Sequence, residues 1–114
     1  MNAPAALPTV PIAVKTVDAD TVFAALGDAT RRRILLGLSD GKPRTATVVR
    51  SISGQRLSAT IKNLAALRNA GLVVTSQDKV DGRRQADSLA PSVAVEESPD
   101  GKKTMDFGYC LVRF

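Results

Sequence analysis

The sequence predicts a mainly α domain that closes with β-hairpins, an α+β class of chain, and three observations lead there. The 114 residues show no break in composition, and their apolar content is Ala, Val and Leu with few aromatics, which suits small helices packed closely in one modest core. Apolar residues recur at helical spacing through residues 18–70. Beyond Gly71 the pattern becomes strand-like alternation punctuated by Asp, Gly and Pro.

Each element can be justified in turn. Residues 1–17 are rich in Ala, Pro and Val, and Pro4, Pro8 and Pro11 deny them a regular helix, so a flexible or extended arm is expected. Asp18 or Asp20 offers an N-cap for a short helix to Leu26 that buries Val22, Phe23 and Leu26, and Gly27 ends it. Asp28 caps the next helix, residues 29–38, whose core face is Ile34, Leu35 and Leu38. Ser39-Asp40-Gly41-Lys42-Pro43 is a stop and turn. Arg44 or Thr45 opens a shorter helix to about Ser51, with Val48, Val49 and Ile52 facing inward, and Ser53-Gly54-Gln55 makes a tight turn. A longer helix then covers residues 57–70. Strands follow at 72–77 and 83–89, joined by a turn containing Asp81-Gly82. Residues 93–97 and 104–114 flank Ser98-Pro99-Asp100-Gly101-Lys102 and predict a second hairpin. On its later strand Met105, Phe107, Tyr109 and Leu111 share one side, which needs a cover from the domain's own helices or from a second subunit.

Several function classes are excluded by what the chain lacks. Cys110 is the single cysteine, so no intrachain disulfide forms and a reducing compartment is the default. Residues 1–14 lack the basic start and unbroken apolar core of a signal peptide, and nothing approaches membrane-spanning length, so a cytoplasmic protein without membrane contact is expected. With no histidine and one cysteine, neither a transition-metal site nor a general base is available, and no metal or other cofactor is expected. Asp18, Asp20 and Asp28 read as helix caps, and Cys110, in an alternating stretch, reads as an inert buried thiol. No phosphate-cradling glycine motif is present, so the chain is not expected to be an enzyme.

The net charge of +5 is unevenly placed. Residues 28–84 carry twelve basic and four acidic side chains, between two slightly negative ends. Such a segment can concentrate a polyanion, although lysines and arginines also simply solvate helix faces. On the long helix, Leu57, Ile61, Leu64 and Leu67 gather on one side, with Thr60 beside them. The opposite side collects Gln55, Ser58, Ala59, Lys62, Asn63 and Ala66, a short polar surface that could approach base edges in a major groove. An ordinary amphipathic surface helix has the same wheel. Lys79, Arg83 and Arg84 cluster at the tip of the following hairpin, where they could meet a phosphate backbone or a minor groove, or merely keep an edge strand soluble.

Three helices followed by a basic hairpin form the layout of a winged helix-turn-helix, here followed by a C-terminal β-hairpin. Leu26-Gly27-Asp28-Ala29-Thr30-Arg31-Arg32-Arg33-Ile34-Leu35 resembles the Leu-x-Asp-Pro-Thr-Arg-Arg-x-Ile-Leu signature of ArsR-like winged-helix transcriptional regulators. Leu64-Ala65-Ala66-Leu67-Arg68-Asn69-Ala70-Gly71-Leu72-Val73 is similar to the end of their recognition helix, and Asp81-Gly82-Arg83-Arg84 to their wing, so the resemblance spans roughly residues 20–90. Ala29 stands where the family usually has Pro, which leaves the Asp28 cap intact. The start of the long helix lacks the family's Ser-x-x-Thr-Val-Ser-x-His run, so Ser58, Ala59, Lys62 and Asn63 are assigned from the wheel alone.

The resulting expectation divides the chain into an arm (1–17), a DNA-binding unit (18–90) and a C-terminal hairpin for packing or dimerisation (91–114). It is a sequence-specific transcriptional regulator of ArsR-like type without a metal-sensing site. A homodimer would set two recognition helices in successive major grooves of double-stranded DNA. The expected DNA-binding residues are Arg44, Gln55, Arg56, Ser58, Ala59, Lys62, Asn63, Lys79, Arg83 and Arg84. Arg31 and Arg32 could anchor phosphates or pair with Asp residues inside the domain. A protein-interaction module and a non-specific nucleic-acid binder remain as alternatives.

Overall fold

Four helices come first, each started and stopped by local chemistry. The structure, a computed structural model, describes residues 17–78, 80 and 82–114. The expected arm therefore lies outside the described residues except for Val17, as do Lys79 and Asp81 of the hairpin tip. Helix α1 (Ala19–Leu26) is capped by Asp18, whose Oδ1 accepts the Thr21 N–H at 2.9 Å. Helix α2 (Ala29–Gly37) is capped by Asp28, which accepts the Arg31 N–H at 3.1 Å. Each cap satisfies one of the orphan donors of a first helical turn. Helices α3 (Ala46–Ser53) and α4 (Leu57–Asn69) follow, separated by a three-residue turn.

Three consecutive arginines tie the ends of these helices together. Arg31 donates from Nε to the Ala25 carbonyl (2.8 Å) and from Nη2 to that of Ala24 (3.0 Å), and Arg32 donates from Nη1 to that of Leu26 (2.6 Å). All three acceptors are carbonyls in the last turn of α1, that of Ala24 also accepting the Gly27 N–H at 3.3 Å, and there a cation meets the negative end of the helix dipole. Arg33 does the same for α3, donating to the Ser53 carbonyl at 2.9 Å. The internal role foreseen for Arg32 is thus met by a carbonyl rather than by an aspartate.

Strand β1 (Arg44–Thr45) was not foreseen, because two residues are too few for alternation to show. It pairs with β3 (Gln85–Leu89), which pairs in turn with β2 (Val73–Gln77), giving an antiparallel sheet of order β1-β3-β2. The turn before β1 is held by Asp40, which accepts the Lys42 N–H at 3.0 Å and both Arg44 Nη atoms at 2.8 and 2.7 Å. A second antiparallel sheet contains β4 (Ala94–Glu97), β5 (Lys103–Asp106) and β6 (Leu111–Arg113) in that order.

The second sheet corrects the single strand expected over 104–114. Gly108 takes φ 89°, the Phe107 N–H bonds the Cys110 carbonyl at 2.9 Å, and Asp106 accepts the Gly108 N–H at 2.8 Å, so the chain reverses there. Cys110 sits in this reversal, partly buried against the core rather than within a strand. The expected apolar stripe is split by the turn: Met105 and Phe107 are buried, while Tyr109 and Leu111 are 50% and 67% exposed. Phe23 is also corrected, being half exposed with its ring edge-on to Tyr109 at 6.5 Å.

One core holds the helices and both sheets. Ile34, Leu35, Leu38, Val49, Leu64 and Leu67 are fully or almost fully buried, and Met105 and Phe107 from the C-terminal sheet belong to the same cluster. Helices α2 and α3 meet closely at Gly37, where an added Cβ would lie 2.6 Å from Ile52 Cγ2. Ile52 is half-buried and Val48 exposed, so the inward face of α3 is narrower than its sequence suggests. No helix among the described residues is long and apolar enough to cross a membrane.

Two stability outcomes follow from this packing. Gly37→Ala favours the helix by about 1 kcal/mol through propensity but overpacks the α2–α3 contact at a cost of about 1–3 kcal/mol, so chemical denaturation should show net destabilisation. Adding Ile52→Ala to Gly37→Ala should recover part of that loss, and strict additivity of the two changes would refute the steric origin. The second outcome concerns pH. Hydrogen bonds from Thr21 lower the Asp18 carboxyl, the Arg31 N–H lowers that of Asp28, and the Arg44 guanidinium holds Asp40 far below the usual carboxylate range. Groups lowered in the folded state stabilise it above the ordinary aspartate value of about 4 and lose that contribution as pH falls through their folded values. The urea midpoint should therefore drop between about pH 5 and 2, and Asp40→Asn should flatten that drop.

Candidate nucleic-acid interface

The surface around α4 is organised by a buried pair of hydroxyls. Gly54 ends α3 in the left-handed conformation (φ 70°), and its N–H returns to the Arg50 carbonyl at 3.0 Å. Ser53 Oγ accepts the Gln55 N–H at 3.1 Å and lies 2.8 Å from Thr60 Oγ1, which donates to the Arg56 carbonyl at 3.0 Å. Both Ser53 and Thr60 are completely buried. Their mutual satisfaction lets two polar side chains occupy the angle between α3 and α4 without the cost of an orphaned group.

This pair sets the rotation of α4 and corrects the expected wheel. Thr60, Leu64 and Leu67 point inward, whereas Leu57 and Ile61, expected in the core, are 38% and 47% exposed. They flank a shallow groove of about 290 Å³ shared with Thr45, Thr47 and Arg84. Ser58 and Lys62 are exposed, as expected, and Ala59 is half-buried. Asn63 is turned away: it is half-buried, and its Oδ1 accepts from Arg31 Nη1 at 3.2 Å. It is therefore a link between α4 and α2, and this corrects its place among the expected base-reading residues.

The arginines also sort into two groups. Arg44 is held by the two-pronged ion pair with Asp40, which raises the basicity of its guanidinium and leaves little uncompensated charge for a phosphate. Arg68 of α4 donates to the buried Asp87 Oδ1 at 2.8 Å, and Thr75 Oγ1 donates to the same atom at 2.8 Å. This cluster ties α4 to β2 and β3. It was missed from sequence, where the only signal was an aspartate between the buried Ala86 and Leu89 of β3.

Arg50, Arg56 and Lys62, by contrast, are exposed. Arg50 and Arg56 share an open recess of about 580 Å³ with Thr47, Ser51 and Gln55, at the corner between α3 and α4. Gln55 and Arg56 were expected to contribute, but Arg50 was not, since the sequence reading looked for contacts on the long helix alone. In the hairpin, Arg83 and Arg84 are exposed, and Arg84 Nη2 lies 3.4 Å from Thr47 Oγ1. Val80 stands almost entirely in solvent at the hairpin tip. From residue 41 to 77 the chain carries Lys42, Arg44, Arg50, Arg56, Lys62 and Arg68 and no Asp or Glu. A polyanion approaching α4 therefore meets a positive field, with donors short enough to reach it. Among the described residues no three His, Cys, Asp or Glu side chains gather into a metal-binding group.

Comparison with known proteins places this geometry. No family model matches the chain, and no curated protein sequence does. Among solved structures, the chain is similar to the homodimeric winged helix-turn-helix DNA-binding domain of a possible ArsR-family transcriptional regulator from Mycobacterium bovis, with 31% identity and a TM-score of 0.55, covering 62% of each chain. A probable transcriptional regulator from Pseudomonas aeruginosa matches with 23% identity and a TM-score of 0.53, over 65% of this chain and 58% of its own. A variant of ZitR from Lactococcus lactis matches with 20% identity and a TM-score of 0.52, over 75% of this chain and 56% of its own. The chain thus spans 56–62% of the length of these proteins, and at their lower identities the last two speak for the fold alone. The fold is a winged helix-turn-helix, and the chain resembles transcriptional regulators built on it, an ArsR-family protein among them.

Proposed function

We propose that this chain is a sequence-specific, double-stranded-DNA-binding transcriptional regulator of ArsR-like type that carries no metal-sensing site and no catalytic activity. The observation that supports it most is the run from 41 to 77, free of carboxylates, in which Ser58 and Lys62 are exposed on α4 and Arg50, Arg56 and the hairpin's Arg84 gather around Thr47. In this reading α4 enters the major groove, where Lys62 and Ser58 reach base edges. Arg50, Arg56, Gln55, Arg83 and Arg84 hold phosphates, with Lys79 joining them from the wing tip. The likeness to the mycobacterial domain supports the same assignment. The protein works in the cytoplasm, where Cys110 stays reduced.

It works as a homodimer. Phe23, Tyr109 and Leu111 are exposed, and the first two are in contact, so α1 and the C-terminal sheet form an apolar patch suited to a second copy.

Three measurements test this reading. Titration of a selected duplex and a random duplex at several salt concentrations should reveal a tight, sequence-dependent component above a salt-sensitive background; equal affinity for both would point instead to non-specific binding, and no affinity to an interaction module. Lys62→Ala should weaken the selected site by about 1–3 kcal/mol with little effect on random duplex, and Arg56→Ala should weaken both and lower the salt slope by about 1. Asn63→Ala should reduce stability rather than alter base preference. On a sizing column, Leu111→Asp should shift the protein toward monomer; an unchanged dimer would move the interface elsewhere.

A further inference from the structure

The shallow groove beside α4 takes its lining from Leu57, Ile61 and Leu64 of that helix and from Thr47, Arg84 and Gln85 of the neighbouring segments. Leu64 is buried, but Leu57 and Ile61 remain exposed. Single apolar side chains scattered on a surface are ordinary. These two stand four residues apart, one above the other on one face of the helix, and so form a short ridge along a shared groove. β-Branching leaves Ile61 essentially one χ1 rotamer in a helix, so it loses little freedom when something covers it.

The size of the ridge limits what could cover it. A stable protein interface buries about 800 Å² on each partner, which two partly exposed side chains do not approach. The groove's volume of about 290 Å³ also lies below the range of about 300–1,000 Å³ usual for small-molecule sites. Its surroundings are cationic. Arg84 lines it, Arg56 precedes Leu57 in the chain, Lys62 follows Ile61, and all three are exposed. Thr47 belongs both to this groove and to the recess of Arg50 and Arg56. Asp87, the carboxylate on the lining, is already matched by Arg68 at 2.8 Å. The occupant that suits such a place is a small apolar group carried on a polyanion. The major groove of double-stranded DNA presents one, the C5-methyl of thymine, among base edges otherwise read through hydrogen-bond donors and acceptors.

We propose that Leu57 and Ile61 read thymine methyl groups, an assignment that rests on the DNA-binding role given to α4 above. The duplex that this chain selects carries thymines at one or two fixed positions. Four residues advance about 6 Å along a helix and successive base pairs are about 3.4 Å apart, so the ridge spans methyl groups one or two steps from each other. At a position without a methyl the ridge stays wet, and the gain from covering it is lost. Ser58 and Lys62, exposed beside the ridge, ask for hydrogen-bonding groups, whereas Leu57 and Ile61 ask for hydrocarbon.

Removing the methyl groups one at a time tests this in the full chain. A duplex selected from a random library is remade with each thymine in turn replaced by deoxyuridine, which pairs as thymine does and lacks only the methyl. Affinity should fall about three- to tenfold at one or two positions, the loss expected for one buried methyl. Ile61→Ala and Leu57→Ala should each weaken the intact site by a similar factor and abolish the response to deoxyuridine at one of those positions. Both should bind random duplex as the unaltered chain does, which also shows that they fold. Ile61→Val, which keeps a branched apolar side chain, should retain part of the response. A full response in both alanine variants would mean that other residues read the methyl groups, and the proposal is overturned. A chain that selects a sequence yet tolerates every deoxyuridine also overturns it, while the regulator reading stands. If no sequence is selected at all, the regulator reading fails and the proposal fails with it.

Discussion

The contact between Ser53 and Thr60 decides which side of α4 the molecule shows to solvent. Two hydroxyls 2.8 Å apart, both fully buried, satisfy one another and the turn between them. Once Thr60 is committed to that pair, Leu64 and Leu67 follow it inward, Lys62 is carried outward, and Leu57 and Ile61 are left at the margin of a groove. Hydrophobicity alone would have turned the helix differently. A satisfied polar pair can outrank two leucine-sized side chains because breaking it leaves buried groups without partners, at about 1–3 kcal/mol each.

This explains much of what could and could not be read from the sequence. Helix starts were legible, because Asp18 and Asp28 act locally on the next turn and need nothing from the rest of the fold. The pairing of β2 with β3 was legible from alternation. The exposed surface of α4 was only partly legible. Ser58 and Lys62 lie far enough from the core-facing side to stay outside under either rotation, while Asn63 falls near the boundary and is captured by Arg31, thirty-two residues away in sequence. The C-terminal strand failed for a related reason. Alternation through 105–111 continues across a reversal that depends on Gly108 at positive φ, and a period of two carries no mark of where a strand ends.

The basic residues illustrate why a charge count is a poor guide to a binding surface. Arg31, Arg32 and Arg33 spend their donors on carbonyls at the ends of α1 and α3, and Arg44 and Arg68 are matched by Asp40 and Asp87. These five hold the fold together. The charge left facing outward near α4 belongs to Arg50, Arg56 and Lys62, a smaller and better localised set than the sequence total implies. Arginine suits the first task because its fork can hold two acceptors at once, as Arg31 does on consecutive carbonyls.

The Asp87 cluster carries a mechanical consequence. Arg68 reaches it from α4, Thr75 from β2, and Asp87 itself belongs to β3, so one nearly buried carboxylate oxygen clamps three elements. A helix clamped in this way cannot tilt by itself. Any displacement of α4 levers the hairpin with it, and the two move as a single rigid jaw.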